Sequence, residues 1–184
     1  MNRYSRQLLF EPIGEAGQEK LLNSHVLIVG LGALGAVSAE MFARSGIGTM
    51  TILDRDYVEM SNLQRQPLYD TNDANEQLPK AIAAKKRLME INPTIKVNAI
   101  VEDVTADILK EHLDGVQMMI DGTDNFDIRM IMNDLSQKYN LPWIYGSCVG
   151  SYGLSYLIKP NETPCLHCVI EHIPLAAATC DTVG

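Results

Sequence analysis

Apolar positions in this chain fall into short unbroken runs that alternate with longer stretches of helical period. Residues 25–29, His-Val-Leu-Ile-Val, lie between Ser24 and Gly30 and read as a first, buried strand. Residues 34–45 follow with helical spacing and stop at Gly46, a residue suited to the position just past a helix C-terminus. Residues 50–53 predict a second strand, and 79–91 a helix with Pro79 in its first turn. A third strand over 96–101, a short helix over 106–112 and a fourth strand over 116–120 come next. Residues 124–139 carry the strongest helical pattern, with Asp124 placed to cap it. Two further strands, 143–149 and 154–158, are joined by a turn at Gly150-Ser151. Strands alternating with helices predict an α/β fold with a mainly parallel, doubly wound sheet.

Two stretches break the alternation. Residues 56–78 form a long polar connection, and loops of that length are functional or unstructured. After Pro160 no element is predicted, and the chain stops at Thr182-Val183-Gly184 with no closing helix. The expected organisation is therefore one domain over 1–160, opened by an N-terminal helical arm. An irregular tail over 161–184 is expected to be poorly ordered and cut short.

Length and charge narrow the classes. A chain of 184 residues with 46% hydrophobic content is long enough to bury one proper core. A net charge of −8 argues against a broad duplex-DNA footprint, though not against a few cations inside a cleft. No apolar run approaches the roughly 20 residues that span a bilayer. The opening Met1-Asn2-Arg3-Tyr4-Ser5-Arg6 has no apolar run behind it, so no signal peptide is predicted and the cytoplasm is the default. In that compartment Cys148, Cys165, Cys168 and Cys180 read as thiols, metal ligands or core residues before disulfides.

The chemistry gathers at the ends of the predicted strands. Gly30-Leu31-Gly32-Ala33-Leu34-Gly35 follows a strand and opens a helix, so Gly30, Gly32 and Gly35 are candidates for a phosphate-binding turn. The same glycines also suit a tight turn needed only for packing. Asp54 ends the second strand nineteen residues past Gly35, where a Rossmann-like domain places an acid on the ribose hydroxyls. It can equally be a strand-end turn residue. Asp121-Gly122-Thr123-Asp124-Asn125 ends the fourth strand, and two acids there beside a triphosphate can hold Mg²⁺. The connection supplies Ser61-Asn62-Leu63-Gln64-Arg65-Gln66, and Lys80 follows Pro79. Hydride transfer has no need of cations here, whereas nucleotidyl transfer builds charge on phosphate oxygens that Arg65 and Lys80 would meet. Cys165-Leu166-His167-Cys168 is half of a structural zinc site, with no second CxxC in the chain. Cys148, in an apolar strand, reads as core.

These residues resemble the ThiF/MoeB/HesA family, bacterial relatives of ubiquitin-activating enzymes that adenylate sulfur carrier proteins. The likeness runs from Arg3 to the last residue. It rests on Arg3-Tyr4-Ser5-Arg6-Gln7, the glycine motif, Asp54-Arg55-Asp56, the Asn62-Leu63-Gln64-Arg65-Gln66 string, Pro79-Lys80, Thr123-Asp124-Asn125, Cys165-x-x-Cys168 and Thr179-Cys180-Asp181. The resemblance implies ATP-dependent adenylation of the C-terminal glycine of a ubiquitin-like sulfur carrier ending in Gly-Gly, in thiamine or molybdopterin biosynthesis. It implies that Asp54 holds the ribose, that Asn62, Arg65 and Lys80 contact the phosphates, and that Asp124, with Asn125 beside it, organises Mg²⁺ or the substrate end. Arg6 would reach the ATP of a neighbouring subunit, which makes the enzyme a homodimer. Zn²⁺ would sit on Cys165 and Cys168, and Cys180 would serve sulfur chemistry in the thiamine branch. Members continue past this point with a second CxxC, and many carry glycine before the proline at Gln77-Leu78-Pro79. The rival readings are an NAD-dependent oxidoreductase, a nucleotide-sensing module without catalysis, and a relative that adenylates a modified tRNA.

Overall fold

A computed structural model describes residues 3–170. Its core is one six-stranded sheet in the order β3-β2-β1-β4-β5-β6. The strands are β1 (His25–Val29), β2 (Thr49–Leu53), β3 (Lys96–Ile100), β4 (Met118–Asp121), β5 (Trp143–Val149) and β6 (Tyr152–Ile158). The first five pair in parallel and β6 turns back antiparallel on β5. The chain winds outward from β1 to β3, then returns to lay β4 on the other side of β1. The Rossmann-like, doubly wound reading holds.

Strand β1 shows why both faces must be covered. Val26 and Ile28 pack into one apolar cluster with Ala36, Ala39, Ala43, Ala84 and Leu88. Leu27 and Val29 point the other way, into a second cluster with Leu109, Met119, Met132 and Trp143. A strand buried on both sides has no polar alternation, so its sequence is a continuous apolar run. The helices supplying the two layers are α3 (Ala33–Ser45), α5 (Lys80–Ile91), α6 (Ala106–Glu111) and α7 (Phe126–Tyr139).

The expected N-terminal arm is two helices, α1 (Ser5–Leu8) and α2 (Gly14–Leu22). It satisfies carbonyls at the far ends of the long helices, which have no partner within the helix. Gln7 Nε2 and Gln18 Nε2 both donate to Ser45 O, at 3.0 and 3.1 Å. Arg3 donates to Ile91 O at 2.8 Å. Tyr4 lies over Gly46, whose left-handed φ of 90° and missing side chain leave room for the ring.

Four expectations need correction. The connection over 56–78 is not featureless: it holds a 3₁₀ turn (Met60–Asn62) and α4 (Thr71–Asn75). Asp70 caps α4 by accepting from the Asn72 and Asp73 N–H groups, and Val58, Leu68 and Tyr69 anchor the loop in the core. The helix predicted from Asp124 starts at Phe126, and Asn125 is its cap, accepting from Asp127 N and Ile128 N. Cys148 is exposed, because the far half of the β5–β6 hairpin projects beyond the helical layers. A short α8 (Leu166–Val169) follows Pro160, with Leu166 buried under α7.

At the amino ends of the strands, His25 Nε2 meets Thr51 Oγ1 at 2.9 Å, and Asn98 Nδ2 donates to the same hydroxyl at 3.2 Å. Burial, then Lys96, hold His25 below its ordinary value, against the pull of the Gly115 carbonyl and Asp114. Because the folded value lies below the unfolded one, this stability is whole above about pH 6.5 and is lost as pH falls through the folded value. His25→Gln, which keeps the bond to Thr51, should flatten that loss. Urea midpoints at about pH 7.5 and about pH 5.5 check it: the wild type should lose more between them than the variant.

Candidate nucleotide site

Ligands of open α/β sheets bind outside the carboxyl ends of the strands, where the winding direction reverses. Here that point lies between β1 and β4, and two glycine segments meet across it. Gly30, at φ 84°, faces Gly122 so closely that a Cβ on Gly30 would lie 2.9 Å from the Gly122 carbonyl carbon and oxygen. A Cβ on Gly35 would overlap the Gly30 carbonyl oxygen, and one on Gly122 would overlap the same atom. Gly32 is the N-cap of α3, and no side chain caps that helix. The predicted turn therefore combines close backbone approach with a helix N-terminus whose N–H groups meet no capping side chain.

Asp54, buried at the end of β2, holds this turn from the side. One carboxylate oxygen accepts Leu31 N–H at 2.6 Å and the other accepts Asp56 N–H at 2.8 Å. Burial pushes its carboxyl above the usual range, opposed by those two N–H groups and by Lys80. Tyr69 donates its hydroxyl to Leu31 O at 2.9 Å, so Leu31 is held through both its N–H and its carbonyl. Each Asp54 oxygen keeps further lone-pair capacity for a sugar hydroxyl.

The cations come from the connection and from the start of α5. Asn62 is buried, its carbonyl turned inward to accept Glu59 N–H at 3.1 Å. Arg65, half-buried, donates to Ser61 O at 2.8 Å and has no acidic partner among the described residues. Lys80 is 7% exposed, and its ammonium pairs with the half-exposed Asp56 carboxylate at 3.1 Å while also acting on buried Asp54.

The β4–α7 loop divides its acids. Asp121 was expected to help hold Mg²⁺, but its carboxylate is fully buried and taken. It accepts Thr123 N–H (2.9 Å), Thr123 Oγ–H (2.8 Å), Arg129 Nε–H (2.8 Å) and Gly146 N–H (3.3 Å). Of the two acids at the end of β4, Asp124 is the exposed one, and one carboxylate beside phosphates is a donor set that Mg²⁺ accepts. Asn125 gives its side-chain oxygen to the cap of α7, which leaves its NH₂ group for other contacts.

Other predicted residues lie elsewhere. Arg6 is exposed on α1, at the opposite edge of the sheet. Cys165 and Cys168 face each other at 3.5 Å across the turn of α8, near the about 3.7 Å that separates two thiolates on one tetrahedral zinc. Burial opposes the Cys165 thiolate, but bonds from the Cys168 N–H and thiol and from the His167 N–H outweigh it and hold the thiol below its usual range. Asn133 steadies this turn by accepting Leu166 N–H at 2.8 Å. Among the described residues no third potential ligand joins the pair. Cys180 lies outside the described residues. Sequence reading gave no individual role to Tyr69, Asp56, Gly122 or Arg129. Asp56 and Gly122 stood inside quoted motifs, and Arg129 left a trace as a charge on the face of α7 that also carries Met132 and Asn133.

The fold and this edge together define a Rossmann-like domain with a glycine turn, flanking cations and one free acid at its switch point. The chain belongs to the ThiF family, which matches residues 4–184. Over 182 residues it is 50% identical to the sulfur carrier protein ThiS adenylyltransferase of Bacillus subtilis (strain 168), covering 99% of this chain and 54% of that protein. It is 39% identical over 183 residues to the protein of the same name from Escherichia coli (strain K12), covering 99% of this chain and 72% of that one. The crystal structure of E. coli MccB with ATP matches with a TM-score of 0.82 at 28% identity, over 91% of this chain and 52% of that one. The chain thus spans about half the length of the B. subtilis relative. No helix among the described residues is long and apolar enough to cross a membrane.

The glycine contact predicts different costs for two glycines that face the same edge. Gly122→Ala should cost about 1–3 kcal/mol, because the Gly30 backbone must move. Gly32→Ala, whose Cβ would meet nothing nearer than 4.0 Å, should be almost neutral. Urea denaturation of the two variants distinguishes them.

Proposed function

We propose that the protein carrying this chain is an ATP-dependent adenylyltransferase acting on a ubiquitin-like sulfur carrier that ends in Gly-Gly. The observation that carries this reading is the buried Lys80 ammonium beside the glycine turn, paired to half-exposed Asp56 and within electrostatic reach of Asp54. A dehydrogenase has no use for a desolvated cation there. Transfer at a phosphate has, since charge grows on the phosphate oxygens and a dry cation stabilises it strongly. The names of the relatives supply the substrate class, and the B. subtilis relative favours the thiamine-type carrier over the molybdopterin one.

In this reading Asp54 accepts from the ribose, and Gly30, Gly32 and Gly35 let the phosphates approach the start of α3. Asn62, Arg65 and Lys80 donate to the phosphate oxygens. Asp124 holds Mg²⁺, which supplies charge neutralisation on the phosphates. The carrier's terminal carboxylate is already ionised at neutral pH and needs no general base. One of its oxygens bonds to the α-phosphorus while the bond to the bridging oxygen of pyrophosphate breaks, so Arg65 and Lys80 act on the leaving charge. Positioning and electrostatics do the catalysis.

Arg6 fits a role in a second subunit. The arm that carries it packs on the C-terminal end of α3, and thirteen helical residues separate that end from the glycine turn by about 20 Å. Beside it, Leu9 and Phe10 are 76% and 57% exposed, an apolar face suited to a partner copy. Cys165 and Cys168 would form half of a structural Zn²⁺ site, completed by ligands beyond them.

Pyrophosphate exchange tests the reading in the full-length protein, with ATP, Mg²⁺ and a carrier ending in Gly-Gly. Exchange should require the intact carrier tail. Arg65→Ala and Lys80→Ala should each lower it about 100-fold or more with the fold intact by circular dichroism. Mixing Arg6→Ala with Lys80→Ala subunits should restore part of the activity, since one mixed site regains both residues. Carrier-independent behaviour with tight NAD binding would return the chain to the oxidoreductases.

A further inference from the structure

Arg129 lies in the first turn of α7 and is 6% exposed. Its guanidinium reaches three separate points: Asp121 Oδ2 from Nε at 2.8 Å, and Thr123 O and Gly146 O from Nη2 at 2.6 and 2.9 Å. The Tyr145 ring lies beneath, 5.1 Å from the guanidinium carbon. The fork therefore ties the end of β4, the loop after it and the middle of β5 to one helix.

What this fixes is the loop that ends in Asp124. Asp121 takes Thr123 N–H and Oγ–H on its second oxygen, while Arg129 takes the Thr123 carbonyl. Gly122, between them, donates to Val29 O at 2.8 Å and presses on Gly30. Both peptides leading to Asp124 are thus held, and among the described residues no other group bonds the exposed Asp124 side chain, so that backbone sets its direction. We propose that Arg129 is a positioning residue for the nucleotide site, setting the Asp124 carboxylate through the Thr123 carbonyl. This rests on the assignment of Asp124 to Mg²⁺ made above.

A plainer role is also open to a buried arginine, that of neutralising Asp121. The two differ in what a lysine or a neutral pair can do. Lysine can match the charge of Asp121 but not the planar fork that spans three acceptors. A neutral Asp121→Asn/Arg129→Gln pair removes the buried charges together and limits the loss of stability.

The test is isothermal titration of the full-length protein with ATP, with and without Mg²⁺. The wild type should bind ATP more tightly with Mg²⁺, and Asp124→Asn should abolish that gain. Arg129→Lys and the double Asp121→Asn/Arg129→Gln variant should each reduce the gain about tenfold or more, while leaving Mg²⁺-free affinity within about twofold. Leu109→Ala, a core truncation on the same side of the sheet, should lower thermal stability and keep the gain. If Asp124→Asn loses the gain and both Arg129 variants keep it, Arg129 only balances charge and the proposal is overturned. If Asp124→Asn itself keeps the gain, the Mg²⁺ assignment falls and the role of Arg129 falls with it.

Discussion

The contact on which the rest of this edge depends is backbone against backbone. Gly30 and Gly122 meet where β1 and β4 part company, with no side chain between them. The parallel pairing continues into it, since Gly30 N–H reaches Leu53 O and Gly122 N–H reaches Val29 O, both at 2.8 Å. Glycine is needed there because a Cβ would have to occupy space already filled by a neighbouring peptide. With that approach allowed, α3 can start close to the sheet, Leu31 can reach Asp54 and Tyr69, and the β4–α7 loop can lie beside the turn. Loosening it would unseat several groups together.

Around that contact, burial sorts the charges into roles. Asp121 and Arg129 are deep, paired and spent on geometry. Asp54 is also deep but is paired to N–H groups rather than to a cation's full charge, so its oxygens keep capacity for another donor. Asp124 is in solvent. Arg65 has no acidic partner among the described residues, and Lys80 pairs with Asp56. In an acidic protein of net charge −8, Arg65 and Lys80 thus offer a polyanion two local cations without the diffuse basic surface that nucleic acid needs.

Much of this was legible in the residues, for a physical reason in each case. The run from His25 to Val29 could only be a strand covered on both faces, and its bounds came out of the sequence unchanged. The glycine turn, Asp54 and the cations belong to motifs whose spacing reflects short connections. What stayed hidden depended on contacts distant in sequence or on choices between neighbours. Asp124 and Asn125 are both good caps, and only the backbone after Thr123 decides that Asn125 serves while Asp124 is released. The connection over 56–78 keeps its order through scattered anchors, Val58, Leu68 and Tyr69, too irregular to show a period. Cys148 looked apolar in context, yet alternation cannot tell a strand in the core from one that outruns it.

Helix α7 then acquires a significance that no single motif gave it. Arg129 and Asn133 are four residues apart and share its buried face. The first holds the loop of Asp124, and the second holds Leu166 N–H, in the turn that brings Cys165 to Cys168. Two polar side chains on one apolar face are costly to bury unless each is fully partnered, and here each partner belongs to a different candidate site. The free acid at the cleft and the paired thiols are therefore referenced to the same rigid element. A shift of α7 along its axis would displace both, which ties the order of the Cys165–Cys168 turn to the geometry of the nucleotide edge.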